Sequence, residues 1–494
     1  MANFCGSAGL ALVAGLLAIG LALLPGCAKR SSVPADPGEI LKKLTNRQFK
    51  SLDAELSSCE QQYEKDPARE SPVMNAFAVF DTSKAIVGNR TAEWVKAEPG
   101  SYAAALAHAD FLEATAGRWR GEGWASAVTP QQWQEAHFFY NQARAEAKRA
   151  LSIDPHLAGA YAVLIDAAKV DGSRAELARV GTEALQHMPE SYEVRESIMY
   201  SLMPRWGGSR EAMVKFAEAS QAYARENPAI ASLKFWPTFD ECQDLDDAKQ
   251  WKAAAQCYTH ALHEFGAHST LYHRRALDYS KMRKFKLSLR DAKRAEARMF
   301  PLGSDNLELL AWDTEELNRP DASMRWISDY MKFYAPDAYM LGLMKAIQRK
   351  QFYKLIDGGV AAFKAGRFDE AERDAQKVLS DAPKFRKDWN YGNAIFKGNM
   401  IIGLVALKRD GSVARADGAL LASAKQPGSP QLDSFGPNMS LAQALLERGQ
   451  RSTVLEFLAD CKSFWKIGDG RLDAWSKTIE AGGNPDFGPN LGYY

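Results

Sequence analysis

A repeated two-helix interval constrains this chain more than any other feature. Residues 150–155 (ALSIDP) are answered by residues 184–189 (ALQHMP), so that Pro155 and Pro189 stand 34 residues apart. Small residues that let helices approach closely, followed by a turn proline and repeated at the length of one helical hairpin, point to stacked hairpins. The interval returns downstream, where Gly266 to Pro301 and Pro301 to Pro336 each measure 35 residues. Pro189 to Pro228 measures 39, and the surplus coincides with an inserted loop, Arg205 to Ser209, inside the run PRWGGS. The expected fold class is all-α, with each repeat contacting mainly its neighbours.

If Pro155 closes one repeat, the next begins near Ala158 and places Tyr161 and Leu164 on the inner face of its first helix, with Ala184 at the close-packing position of its second. Tyr272, Ala276, Tyr279, Phe285, Ala292 and Ala295 fall at matching positions, as do Gly359, Ala362, Gly366, Phe368, Ala371 and Ala375 in the clearest unit, residues 352–383. These units resemble tetratricopeptide repeats. That resemblance implies a helical-hairpin solenoid whose first helices line a groove for a partner's peptide. Carried onto this register, it turns Asp166, Lys169, His273, Tyr353 and Phe363 toward the groove.

Residues 72–228 are similar to a bacterial domain family of unknown function. The likeness rests on Trp94, Pro99 and Ser101, on Arg118, Arg120, Gly121, Gly123 and Trp124 of the RWRGEGW run, and on PRWGGS. It implies helical architecture and no particular chemistry. The expected organisation is an N-terminal helix in 39–71, this domain over 72–230, a repeat solenoid over 231–389 and a helical cap over 390–494. Within it, 39–65 reads as one helix, a short strand near 77–80 is conceivable, Gly88 and Asn89 break the pattern, and 429–439 with its two prolines cannot be helix interior.

Ahead of that body, residues 8–24 carry no charge and end at Pro25 and Gly26, before Cys27. The length suits a signal-peptide core better than a bilayer span, which needs about 20 apolar residues. Leu24, Pro25, Gly26 and Cys27 resemble the lipobox of bacterial lipoproteins, which implies removal of 1–26, lipidation at Cys27 and a tether over 27–38. A membrane-anchored lipoprotein facing the periplasm or the cell exterior is the expectation. An uncleaved anchor is the alternative; Lys29 and Arg30, following the segment, would then hold the body in the cytoplasm.

No motif asks for a cofactor or a catalytic constellation. His260, His263, His268 and His273 cluster in sequence, but the second histidine after His263–Glu264 comes five residues on rather than four, so the zinc-protease spacing is missed. A metal-dependent enzyme using these four is the alternative to a binding protein. Eight basic residues against two acidic in 281–298 fit a solvated helix face, and Lys plus Arg 62 against Asp plus Glu 61 gives no footprint for nucleic acid. Cys242 and Cys257 either pair or stay free and buried. Turn chemistry explains Pro204, Gly207, Gly208 and Ser209 but not Arg205 and Trp206, which suit a cation-π clasp onto the neighbouring repeat or a ligand contact. The expected function is an envelope scaffold or adaptor that binds a protein or peptide.

Overall fold

The computed structural model describes residues 36–121, 123, 125–298 and 303–492. Cys27 with the apolar run before it, Trp124 and the repeat mark Pro301 lie outside the described residues. Among those described there are 24 α-helices and no strand, and the fold is the expected all-α one built of tetratricopeptide-like hairpins. The chain divides into two compact units, with the boundary between Lys234 and Phe235.

One turn recurs through the hairpins. Arg47, Gly172, Lys249, Arg283, Asn318, Gly366 and Gly449 each have positive φ, between 56° and 81°. At each, the next residue donates its backbone N–H to the carbonyl four positions before the turn residue, as Lys284 does to Tyr279 (2.7 Å) and Arg319 to Thr314 (3.0 Å). This closes the last turn of the first helix and satisfies carbonyls that otherwise lack a partner, so the second helix can start at once.

In the first unit the expected helix over 39–65 is two, Pro37–Thr45 and Phe49–Lys65, because Arg47 takes one of these turns. No strand forms at 77–80: Glu70–Phe77 is helical and a turn follows. Gly88 and Asn89 sit inside the helix Ala85–Ala97 instead of breaking it. The hairpin read from the repeat interval is present as Ala158–Val170 and Arg174–His187, with Tyr161 and Ala184 buried. One core runs through Leu52, Trp94, Leu106, Tyr161 and Val180, so the helices before residue 72 share it with those after. Glu70 ties its two ends together. Its carboxylate accepts from Ser191 Oγ (2.5 Å), the Tyr192 and Glu193 amides (2.6 and 3.1 Å) and Asn227 Nδ2 (2.5 Å), capping the helix Tyr192–Ser201 from 121 residues away.

The second unit repeats a device within its hairpins. Ser288 Oγ donates to the Ala276 carbonyl at 2.7 Å and, one repeat on, Ser323 Oγ donates to the Ala311 carbonyl at 2.6 Å. A small hydroxyl residue thus lets the helices meet and satisfies its own oxygen. The clearest unit begins earlier than expected: its first helix is the long Ala338–Lys364, followed by Phe368–Asp381. Residues 429–439 contain a short helix, Pro430–Phe435, because Pro430 occupies the first position, where no N–H is required. Cys242 and Cys257 form a disulfide joining the helices Trp236–Asp247 and Trp251–Glu264. The segment after 390 has its own core of Met400, Leu404, Leu441, Phe457 and Trp465.

Candidate functional site

Three successive first helices of the first unit, Tyr102–Arg120, Ala158–Val170 and Tyr192–Ser201, each carry carboxylates three residues apart or at matching turns. Residues so spaced share one helix face. Asp110, Glu113, Asp166, Glu193 and Glu196 are consequently gathered near one another, and each keeps only partial exposure. Burial, reinforced by Glu113, Glu193 and Asp81, holds Asp110 well above the usual carboxylate range. Burial and then the Asp166 charge do the same for Glu113, which is hydrogen-bonded to Asp166. Glu193 is raised by burial and by Glu70, Glu60 and Glu196. Burial lifts Glu196 to about 7, against the opposing hydrogen bond from Tyr192 Oη at 2.5 Å. Concentrated like charge in a low-dielectric setting is costly, and such arrangements gather where a protein binds or reacts.

The inserted PRWGGS loop reaches this acidic group through Lys169, which pairs with Asp166. Pro204–Trp206 forms a tight turn, Gly207 takes φ 79°, and a Cβ on Gly208 would overlap the Leu202 carbonyl, so both glycines are required. Ser209 caps the next helix through the Ala212 amide at 3.2 Å. Trp206 is then set among cations: Lys169 Nζ at 5.1 Å, Arg120 Cζ at 5.2 Å and its neighbour Arg205 Cζ at 5.6 Å from the ring centroid. Lys169 also stands 4.5 Å from the Tyr200 ring and 2.7 Å from Asp166 Oδ1. The structure therefore brings Asp166, Lys169, Arg205 and Trp206 into one cluster, and Trp206 contacts the two preceding first helices as a clasp. Sequence reasoning missed Asp110, Glu113, Glu193, Glu196 and Tyr200. Their signal was acid recurring on the inner face of each first helix, masked by the acid pairs found on any charged helix.

The other sequence-selected positions lie in the second unit and serve different ends. His273 is hydrogen-bonded to Asn306 (3.1 Å) and held low by burial. Phe363 packs on Phe368 with ring centroids 5.7 Å apart, so core packing accounts for it. The four histidines do not act together, which corrects the metal alternative. His260 is exposed and pairs with Glu264, His263 is exposed, and His268 caps Thr270 and lies 4.4 Å from the Phe235 ring. Among the described residues no three His, Cys, Asp or Glu are grouped to hold a metal. In the basic run, Arg290 and Arg294 pair with Asp291, whose buried carboxylate also receives Arg275 Nε at 2.7 Å.

Tyr353 borders a cavity of about 450 Å³ between the helices Ala338–Lys364 and Tyr391–Val405 and the short helix Pro430–Phe435. Its hydroxyl donates to Asp388 Oδ1 (2.6 Å), and its ring meets that of Trp389 edge-on at 5.7 Å.

A domain of unknown function (DUF4034) matches residues 39–180 and 181–236, taking in the helices before residue 72 as well as the acidic group and the PRWGGS loop. No curated protein matches the chain. Among solved structures, the P58(IPK) TPR domain is 12% identical, covers 69% of this chain and 93% of its own, and has a TM-score of 0.28. The human IFIT1 dimer with m7Gppp-AAAA is 15% identical over 90% of this chain and 88% of its own, with a TM-score of 0.22. Naa15/Naa10 bound to HypK-THB is 10% identical over 90% and 64%, with a TM-score of 0.20.

Proposed function

We propose that the chain is a membrane-anchored lipoprotein of the cell envelope, a helical-repeat adaptor that holds a basic segment of a partner protein against the acidic group of its first unit. The observation that carries this reading is the convergence of Asp110, Glu113, Asp166, Glu193 and Glu196 on one face of three stacked first helices. Lysine or arginine side chains of a partner would compensate the acidic groups gathered there, beside the cations that Trp206 and Tyr200 already hold. The lipobox-like residues 24–27 support the anchor, and the Cys242–Cys257 disulfide favours an oxidising compartment outside the cytoplasm.

The binding half is tested with a fluorescent lysine- and arginine-rich peptide, and an acidic control, titrated onto the full chain. The basic peptide should bind, weaken steeply with added salt, and lose about tenfold in affinity when Glu113→Gln and Asp166→Asn are combined. Equal binding of both peptides, or of neither at low salt, would defeat the reading. The anchor half predicts that labelled palmitate enters the chain in its native host and fails to enter Cys27→Ala; equal labelling of the two removes it.

A further inference from the structure

The cavity beside Tyr353 is a built site that the acidic group does not use. Trp389 and Phe435 stand at its mouth, 51% and 55% exposed, although large aromatics are costly to leave in water. Its wall is made of amides held in one orientation. Asn393, buried, donates through Nδ2 to Asn390 Oδ1 (2.7 Å) and Gln431 Oε1 (2.9 Å), and its own oxygen accepts from Ser429 (2.7 Å). Asn390 and Gln431 line the cavity as well, and each carries an amide NH2 that can donate to a ligand there. The Tyr353 hydroxyl is already given to Asp388, which leaves its ring as wall. At the rim Lys397 and Asp357 offset each other at 3.9 Å, so the lining offers no net charge to an ionic ligand.

The wall is also fixed in place. A Cβ on Gly392 would overlap the Gly428 carbonyl, so the turn leading into the short helix that carries Gln431 rests directly on the start of the helix Tyr391–Val405. Asn490 Nδ2 donates to the carbonyls of Phe435 and Pro437, both at 3.0 Å, and holds the far side. Binding here requires little reordering.

We propose that this cavity binds a neutral saccharide unit, whose C–H face lies on Trp389 and whose oxygens accept from Asn390 and Gln431. An uncharged molecule with an apolar face and several acceptor oxygens matches an aromatic platform beside oriented donors. Sugar hydroxyls both donate and accept, which the side-chain amides of the lining can answer, and an anion would find no net positive charge there. The volume is within the range of about 300–1,000 Å³ usual for small-molecule sites.

The test is calorimetric titration of the full chain with cellotriose, maltotriose and tri-N-acetylchitotriose, with an uncharged tripeptide alongside. At least one trisaccharide should bind at one site per chain. Trp389→Ala should weaken it by about tenfold or more and Gln431→Ala by several-fold, with thermal unfolding and basic-peptide binding unchanged. No binding by any of the three, binding that survives both substitutions, or binding of the tripeptide in their place overturns the proposal. Because the basic-peptide assay reads the first unit alone, failure here and failure of the basic-segment reading are told apart.

Discussion

The Lys169 ammonium stands 5.1 Å from the centroid of the Trp206 ring, joining the helix Ala158–Val170 to a loop that interrupts the repeat 36 residues later. Three cations around one ring mean that Trp206 supplies both packing and charge compensation to the first unit. Trp206→Ala is expected to lower stability by about 2–3 kcal/mol, below the 3–5 of a fully buried tryptophan because the ring is only half-buried. Trp206→Phe should retain more than half of that. Urea unfolding of the two variants measures it, and equal losses would mean that a smaller aromatic ring supplies nothing there and that the stabilisation is specific to the indole.

The buried carboxylates make stability depend on pH in a direction opposite to ordinary acid unfolding. Burial lifts Glu60 to about 8 and Glu196 to about 7, from 4.5 when unfolded. Between those limits the folded state binds more protons, so this stabilisation is complete below pH 4.5 and is lost as pH rises through 7 and 8. Half-buried His108, depressed by desolvation to about 4 from 6.5, acts oppositely, but only below pH 6.5. The melting temperature should therefore fall from pH 6.5 to 8. A Glu60→Gln, Glu196→Gln double variant should fall less, and a parallel decline of both proteins would locate the effect elsewhere. Basic-peptide affinity should rise over the same interval, since a cation binds the deprotonated acidic group.

The hairpin turns show what was legible in the sequence and what was not. The interval could be read from Pro155 and Pro189 because proline marks helix ends. The αL turn residues could not, because three of them are Lys249, Arg283 and Asn318 where glycine is the usual signal. Arg47 hid a helix break in the same way. At the site, Asp166 and Lys169 were singled out by carrying the tetratricopeptide resemblance onto the register, whereas Glu113 and Glu193 become exceptional only when stacking gathers three helices. Phe363 carried the same register signal as Tyr353 but meets Phe368, a contact that periodicity does not reveal. The turn has a measurable consequence. Placing a non-glycine residue in αL costs about 1–2 kcal/mol, and glycine gives back about 0.5–1 in unfolded-chain entropy. Arg283→Gly, whose side chain is exposed, should thus stabilise the second unit by about 0.5–1 kcal/mol in urea unfolding. A loss of stability would show that the Arg283 contacts with Glu316 and Phe285 outweigh the backbone strain.

The Cys242–Cys257 bond links stability to compartment. It closes a span of 15 residues between two packed helices, while Cys59 and Cys461 remain free and buried. A loop of that length is worth about 3 kcal/mol when cross-linked, chiefly by restricting the unfolded chain. Cys242→Ser with Cys257→Ser should therefore cost about 3 kcal/mol in urea unfolding. Reductant should lower the wild-type midpoint toward that of the double variant and leave the variant unmoved. In the native host the bond tests the proposed lipoprotein against the uncleaved anchor. A body outside the cytoplasm should yield Cys242 and Cys257 that resist alkylation in denaturant until reduced, while Cys59 and Cys461 alkylate at once. Full alkylation of all four without reduction would place the body on the reducing side and favour the uncleaved anchor over the lipoprotein.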